Sequence, residues 1–299
     1  MTGRHGAAAA LLLLLAGCGG RAAPDAPQDS ALALAMASGR QALDYSRLKQ
    51  AAAQYQEAYT LALARDDVQA IGDAGYNLAV VQLADNEAAA ALRTALRTRA
   101  ALLVRAAPGF AELDLVQAAA LHRLGREGEA DALAARAQAS AAASPATRDR
   151  ASYLRGVIAD ARGDAAGLNA ALAAFGQPKA PPPDWESDRE DLMARLALLR
   201  GQYREAVAHA QRAADIRRAQ LDYRAMAEAL VLAAQAMQRA GAPQDAARFY
   251  LQAGQSAAAR GDAAPAARWL RQASRLEADA GTRRAARDAL NALPKSASR

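Results

Sequence analysis

The chain has 299 residues, a formal net charge of +6 and a single cysteine, Cys18. One cysteine excludes a fold that depends on internal disulfide bonds. The basic residues are almost all arginine in an alanine-rich chain, and no basic and aromatic stacking platform is present, so the charge does not indicate a nucleic-acid partner.

The first 17 residues have the pattern of an export signal. Arg4 and His5 precede an uncharged apolar run, Ala7 to Ala16, which as a helix would rise only about 15 Å, half of a bilayer core. The run ends in Leu-Ala-Gly-Cys at 15–18, which resembles the lipobox of bacterial lipoprotein signals. The alternative is an ordinary secretory signal with a chance cysteine.

The lipobox resemblance implies cleavage before Cys18 and attachment of more than one acyl chain to this cysteine, which anchors a protein stably to a membrane. Gly19 in place of aspartate implies the outer membrane, with the folded part facing the periplasm. Residues 18–29 are small, polar and proline-bearing after the cysteine, as expected of a flexible tether. No later stretch has eighteen uninterrupted apolar residues.

From residue 30 to residue 293 the sequence predicts an all-α solenoid. Alanine, leucine, arginine, glutamate and glutamine are good helix formers, and no stretch alternates like a half-buried strand. Turn residues recur every 38 to 40 positions and predict about six antiparallel hairpins. These turn residues are Ser46 (the weakest member), Asn86, Gly125, Gly163, Gly201, Gly241 and Gly281. Residues 294–299 are a tail.

A second series of breaks separates successive hairpins. A helix tolerates proline in its first turn, whereas a proline inside the helix destabilises it by about 3 kcal/mol. The prolines here stand where a helix is expected to begin or end. The breaks are at Asp66-Asp67, Pro108-Gly109, Ser144-Pro145, Pro178 to Pro183, Leu221-Asp222 and Gly261-Asp262. The alternative is one long coiled coil or an alanine-rich low-complexity tract, which the regular breaks disfavour.

Small residues keep a fixed spacing around the turns. Gly156, Ala194 and Ala234 each lie seven residues before a turn glycine, and Ala206 and Ala213 lie seven apart on the following helix. This pattern, clearest in 190–260, resembles the tetratricopeptide repeat, although the period exceeds the standard 34 residues. The resemblance implies that the first helix of each hairpin lines a concave face that receives a peptide.

Arginine and tyrosine suit such a face because they combine contact area with directional hydrogen bonds. The candidate binding residues are Tyr76, Arg123, Arg150, Tyr153, Arg195, Arg239, Arg268, Arg271 and Arg275. Asp188, Asp191 and Glu228 share this side, so the groove is expected to be mixed in charge and to become basic towards the C-terminus. For each residue, the alternative is an ordinary solvated helix face.

No pattern for catalysis, a metal or a cofactor stands out. His122 and His209 are isolated, no glycine-rich phosphate loop follows a strand, and the Arg-Gly-Asp triplets at 162–164 and 260–262 fall in predicted turns. The proline-rich segment 177–185 is either a hinge or contact loop, or a stiff connection in which Trp185 packs at the next helix start.

These observations predict a membrane-anchored scaffold for a protein or peptide partner in the cell envelope, without enzyme activity, cofactor, nucleic acid or small-molecule substrate. The resemblance extends to lipoproteins that assist outer-membrane protein assembly, pilus secretins or cell-wall synthesis. One alternative is an adaptor that binds an anionic cell-wall polymer or lipopolysaccharide through the arginines of the C-terminal repeats. A second is a hydrolase with an unrecognised site.

Overall fold

The computed structural model describes residues 30–107 and 110–294, which form fourteen α-helices and no β-strand. The helices are α1 (Ser30–Asp44), α2 (Leu48–Arg65), α3 (Val68–Ala84), α4 (Ala88–Val104), α5 (Ala111–Arg123), α6 (Glu127–Ala139), α7 (Pro145–Ala161), α8 (Ala165–Ala173), α9 (Pro183–Leu199), α10 (Tyr203–Ala219), α11 (Tyr223–Arg239), α12 (Pro243–Ala259), α13 (Ala263–Arg275) and α14 (Ala280–Asn291). They pair into seven hairpins. The predicted all-α solenoid is confirmed, with one hairpin more than the six expected.

The predicted signal peptide (1–17), Cys18 and the remainder of the tether lie outside the described residues, as do Pro108-Gly109 and residues 295–299 of the tail. Between Ser30 and Pro294, no helix is both long enough and apolar enough to cross a membrane.

The turns explain why the chain folds back at these positions. Ser46, Asn86, Gly125, Gly163, Gly201 and Gly241 adopt positive φ angles, the left-handed conformation that ends a helix and that glycine and asparagine reach most easily. The breaks at Asp66, Leu221 and Gly261 share this conformation. At five of the helix starts, an aspartate or serine side chain caps the helix. Asp67 accepts a hydrogen bond from the Ala70 amide at 3.0 Å, and Ser144 accepts one from the Thr147 amide at 3.1 Å.

The predicted turn at Gly281 is wrong. Gly281 lies in the first turn of α14, because Asp279 caps that helix and accepts hydrogen bonds from the amide and the hydroxyl of Thr282 at 2.8 and 2.7 Å. The chain therefore turns earlier, at 276–279. The repeat register nevertheless persists, because Ala286 is fully buried at the position that the spacing predicts.

Small residues form the helix interfaces, as the sequence predicts. Ala194, Ala234, Ala206 and Ala213 are fully buried. A Cβ atom added at Gly156 on α7 would lie 2.7 Å from Cδ1 of Leu192 on α9, so the two backbones approach more closely than a larger residue permits.

From α3 to α11 the solenoid curves with its first helices on the inside. Each helix packs on the next, and α3, α5, α7, α9 and α11 also pack on one another in sequence order. Among second helices, comparable packing joins α12 and α14. Helices on the inside of a curved array approach each other most closely. The inner face of the solenoid is therefore formed by the first helices α3, α5, α7, α9 and α11.

The proline-rich connection between α8 and α9 is packed at its ends. Phe175 and Trp185 meet edge to face with ring centroids 5.9 Å apart, and the Gly176 amide donates a hydrogen bond to Asp149 Oδ1 at 2.8 Å. This arrangement matches the stiff connection with Trp185 packed at the start of α9. A hinge or contact role for the exposed residues 177–183 stays a prediction.

Candidate functional site

The nine predicted binding residues all lie on first helices. Tyr76 is on α3, Arg123 on α5, Arg150 and Tyr153 on α7, Arg195 on α9, Arg239 on α11, and Arg268, Arg271 and Arg275 on α13. The structure divides them into residues held in the fold and residues open to solvent.

Equivalent positions of successive first helices carry different charges. The sixth residue is Arg150 in α7, Asp188 in α9, Glu228 in α11 and Arg268 in α13. The first helices therefore carry a row of charges that runs from positive through two negative residues back to positive.

A charged cluster, centred on Asp191 of α9, lies in the middle of this face. Asp191 is 1% exposed and accepts hydrogen bonds from three side chains. At Oδ2 it accepts from Nε of Arg195 at 2.6 Å and from the hydroxyl of Tyr153 at 3.2 Å. At Oδ1 it accepts from Nη1 of Arg217 at 3.2 Å. One carboxylate therefore ties α7, α9 and α10 together.

Arg217 is the member of the cluster that the sequence reasoning missed. It lies in the last turn of α10, a second helix, and its side chain extends to the inner side, where it is almost fully buried. Nη1 also donates to the Ala225 carbonyl of α11 at 3.2 Å, and Nη2 donates to Asp188 Oδ1 at 3.4 Å. The position of Arg217 on a second helix does not predict this role, because the contacts depend on a long side chain that extends past a turn.

The cluster shifts the pKa values of its acids in opposite directions. Burial alone would raise the pKa of Asp191, but the charges of Arg195 and Arg217 outweigh it and hold this pKa below its usual value. Burial raises the pKa of Asp188 to about 6, because its contact with Arg217 offsets desolvation only in part. Burial also raises the pKa of Tyr153, which keeps its hydroxyl protonated as a donor.

Glu228 lies beside this cluster and remains accessible from the inner face. Desolvation by the surrounding protein raises its pKa, and the nearby positive charge of Arg123 is the strongest influence in the other direction. A side chain that is exposed and yet partly desolvated is expected on the wall of a narrow groove.

Two arginines from other hairpins donate hydrogen bonds to carbonyl groups at the C-terminal end of α3, on the inner side of the solenoid. Arg123 Nη1 donates to the Leu83 carbonyl at 2.7 Å, and Arg224 Nη1, from α11, donates to the Ala84 carbonyl. Arg224 Nη2 also donates to Asp262 Oδ1 at 2.8 Å. The carbonyl groups of the last helical turn and the negative end of the helix dipole favour cations here. The second and sixth hairpins therefore touch, which narrows the groove between them.

Tyr76 and Arg150 lie towards the N-terminal side of the face. Tyr76 is half-buried against the core of the first hairpins, and burial raises its pKa while the positive charge of Arg150 opposes that rise. Arg150 itself is exposed. Tyr76 therefore contributes packing, and Arg150 is open to a partner.

The four C-terminal candidates differ from those of the cluster. Arg239, Arg268, Arg271 and Arg275 are exposed, and none forms an ion pair within residues 30–107 and 110–294. The guanidinium group of Arg268 lies 5.7 Å from the ring centroid of Trp269.

The described part of the chain brings no group of histidine, cysteine and carboxylate side chains together in a metal-binding arrangement. His122 and His209 lie far apart in the array, and their Nδ1 atoms contact Glu127 at 2.7 Å and Glu190 at 2.6 Å. Both Arg-Gly-Asp triplets lie in helix-ending turns, with Gly163 and Gly261 at positive φ. The inner surface can therefore form ion pairs and hydrogen bonds with a bound molecule.

No protein-family model matches the chain, and no curated protein matches its sequence. Similar solved structures include a tetratricopeptide repeat protein from Parabacteroides merdae, with 13% identity, a TM-score of 0.49 and coverage of 87% of this chain and 98% of that one. The C-terminal part of a TPR repeat-containing protein from Cytophaga hutchinsonii has 14% identity, a TM-score of 0.41 and coverage of 87% and 96%. The TPR2AB domain of yeast Sti1 in a pHSP90 complex has 17% identity, a TM-score of 0.36 and coverage of 91% and 100%.

Proposed function

We propose that the protein is a membrane-anchored interaction scaffold of the bacterial cell envelope that binds a protein or peptide on its inner face. The observation that carries the proposal is the pair of accessible charges at equivalent positions of first helices, Arg150 on α7 and Glu228 on α11, beside a rigid cluster. Regularly spaced groups on a curved surface can contact successive residues of an extended or helical partner.

The buried cluster supports this role by making the face rigid. Asp191 and Arg217 connect α7, α9, α10 and α11, so the inner surface is held in one shape before a partner arrives. A preorganised surface loses less conformational entropy on binding. The accessible charges have both signs, so the partner segment is expected to carry both signs as well.

Site-specific photo-crosslinking tests the position of the partner. A photoreactive residue placed at Arg150 or Glu228, on the inner face, is expected to form an adduct with one defined envelope protein. The same residue placed at Arg204 or Gln211, exposed on the second helix α10, serves as the matched control. Equal adducts from both sets of positions, or none from the inner set, would overturn the inner-face proposal.

The anchoring part of the proposal rests on Cys18 and on the signal-like residues before it. The scaffold is proposed to sit on the periplasmic side of the outer membrane and to assist assembly of outer-membrane proteins, pilus or secretion machinery, or cell-wall synthesis. Metabolic labelling with a palmitate analogue, followed by membrane fractionation, tests the anchor. Label is expected in the natural chain and absent from Cys18→Ser, and equal labelling of both would contradict the anchor without bearing on the inner face.

A further inference from the structure

The last hairpin, α13–α14, concentrates positive charge. Arg268, Arg271 and Arg275 follow one another at intervals of three and four residues, so they form one stripe along α13. None of the three pairs with a carboxylate in the described part of the chain. Helix α14 adds Arg283, Arg284 and Arg287.

Acidic residues do not balance this charge. From Ala263 to Pro294 the chain has six arginines against three carboxylates, those of Glu277, Asp279 and Asp288. Asp279 is already occupied by capping α14. The α13 stripe spans roughly 10 Å at a helical rise of about 1.5 Å per residue, which suits a ligand with several negative groups in a line.

The apolar residues of the hairpin point to a hydrated ligand. Trp269 is 6% exposed and Leu270 is fully buried, and no large apolar side chain of the described part of this hairpin is strongly exposed. Protein interfaces have a desolvated core of aromatic and apolar anchors, and membrane-surface helices insert apolar side chains. This surface has neither feature, so its attraction is electrostatic.

We propose that the α13 stripe docks a linear polymer that carries phosphate groups along its length. A guanidinium group makes paired hydrogen bonds to phosphate oxygens, and two arginines from adjacent turns can share one phosphate. A flexible, strongly hydrated polymer needs no apolar anchor. This proposal is independent of the inner-face partner, because it uses a different hairpin and a different kind of contact.

Binding of the full chain to long-chain inorganic polyphosphate tests the proposal. The variant Arg268→Gln/Arg271→Gln/Arg275→Gln is expected to lose about tenfold or more in affinity, with a weaker dependence on salt. The matched control is Arg65→Gln/Arg93→Gln/Arg204→Gln, which removes the same charge from exposed arginines on other hairpins and is expected to bind as the natural chain does. Unchanged melting curves show that both variants fold.

Two further probes separate the possible sources of negative charge. In a Cys18→Ser chain, which lacks the proposed anchor, phosphatidylglycerol vesicles and poly-glutamate are each expected to bind at least about tenfold more weakly than polyphosphate. The proposal is overturned if the α13 variant binds polyphosphate as tightly as its parent, or if the control loses as much affinity. It is also overturned if vesicles or poly-glutamate bind as tightly, because a membrane or an acidic protein would then be the partner.

Discussion

The fifth and seventh hairpins use equivalent positions of their first helices in opposite ways. In α9 these positions hold Asp188, Asp191 and Arg195, which join a buried network, whereas in α13 they hold Arg268, Arg271 and Arg275, which are exposed. An i, i+4 pair of opposite charge satisfies itself, and a run of one sign must find its counter-charge elsewhere. The repeat therefore places side chains at the same positions in both hairpins, and the signs of their charges decide whether they pair within the fold or stay available to a ligand.

The largest effect is expected from Asp191→Asn. The change leaves Arg195 and Arg217 without their shared counter-charge in a buried site, which costs about 3–5 kcal/mol of the free energy of unfolding. Urea denaturation of the natural chain and the variant measures it. The matched change in the last hairpin, Arg271→Gln, is expected to have little effect, and equal losses at the two sites would erase the contrast between the hairpins.

Gly156→Ala is expected to destabilise the middle of the solenoid by about 1–3 kcal/mol. The added Cβ atom would meet the Leu192 side chain, which is fully buried and cannot move without displacing its neighbours. Gly128→Ala is the control, because a Cβ atom there approaches only Nη2 of Arg162, at 3.9 Å. Thermal melting of both variants checks this, and a stabilising effect at Gly156 would contradict the close approach of α7 and α9.

The raised pKa of Asp188 predicts that the free energy of unfolding depends on pH and that part of this dependence originates at this residue. Its folded-state pKa of about 6 lies above its usual value of 3.8, so the folded state binds the proton more tightly than the unfolded chain does. Its contribution to stability is therefore complete below about pH 4 and is lost as the pH rises through about 6. Denaturation curves between pH 4 and 7 should show a shallower pH dependence for Asp188→Asn, and identical pH profiles would refute the assignment.

The smallest stability effect is expected from the triple change at Arg268, Arg271 and Arg275 to glutamine. These side chains are exposed and form no ion pair in the described residues, so the free energy of unfolding should change by no more than about 0.5 kcal/mol. Urea denaturation measures the change. A loss of several kcal/mol would mean that the arginines support the fold and are not free for a ligand.

The sequence predicts the architecture because every repeat needs the same two kinds of residue, one for the turn and one for the helix contact. Asn86 and Gly201 mark turns that need positive φ, and Ala194 and Gly156 mark helix contacts that need small residues. Both requirements are local, so a single sequence reveals them. At Gly281 a glycine stands where a turn is due, but the side chain of Asp279 starts the helix earlier.

The site is less predictable, because its contacts are distant in sequence. The Asp191–Arg195 pair is visible as an i, i+4 spacing, whereas Arg217 reaches Tyr153 at 64 residues' separation and Arg224 reaches Ala84 at 140. Such contacts depend on the curvature accumulated over several hairpins. The helical pattern identifies candidate residues of the inner face. Only the folded structure distinguishes those that pair within the protein from those that remain exposed.

The arginines of the charged cluster are occupied in ion pairs within the fold, whereas those of the α13 stripe have no carboxylate partner in the described residues. Phenylglyoxal modification of the folded chain, followed residue by residue by mass spectrometry, tests this contrast most directly. We expect rapid modification of Arg268, Arg271 and Arg275 and slow modification of Arg195 and Arg217. Unfolding in urea should abolish the difference. Comparable rates at all five arginines in the folded chain would contradict it.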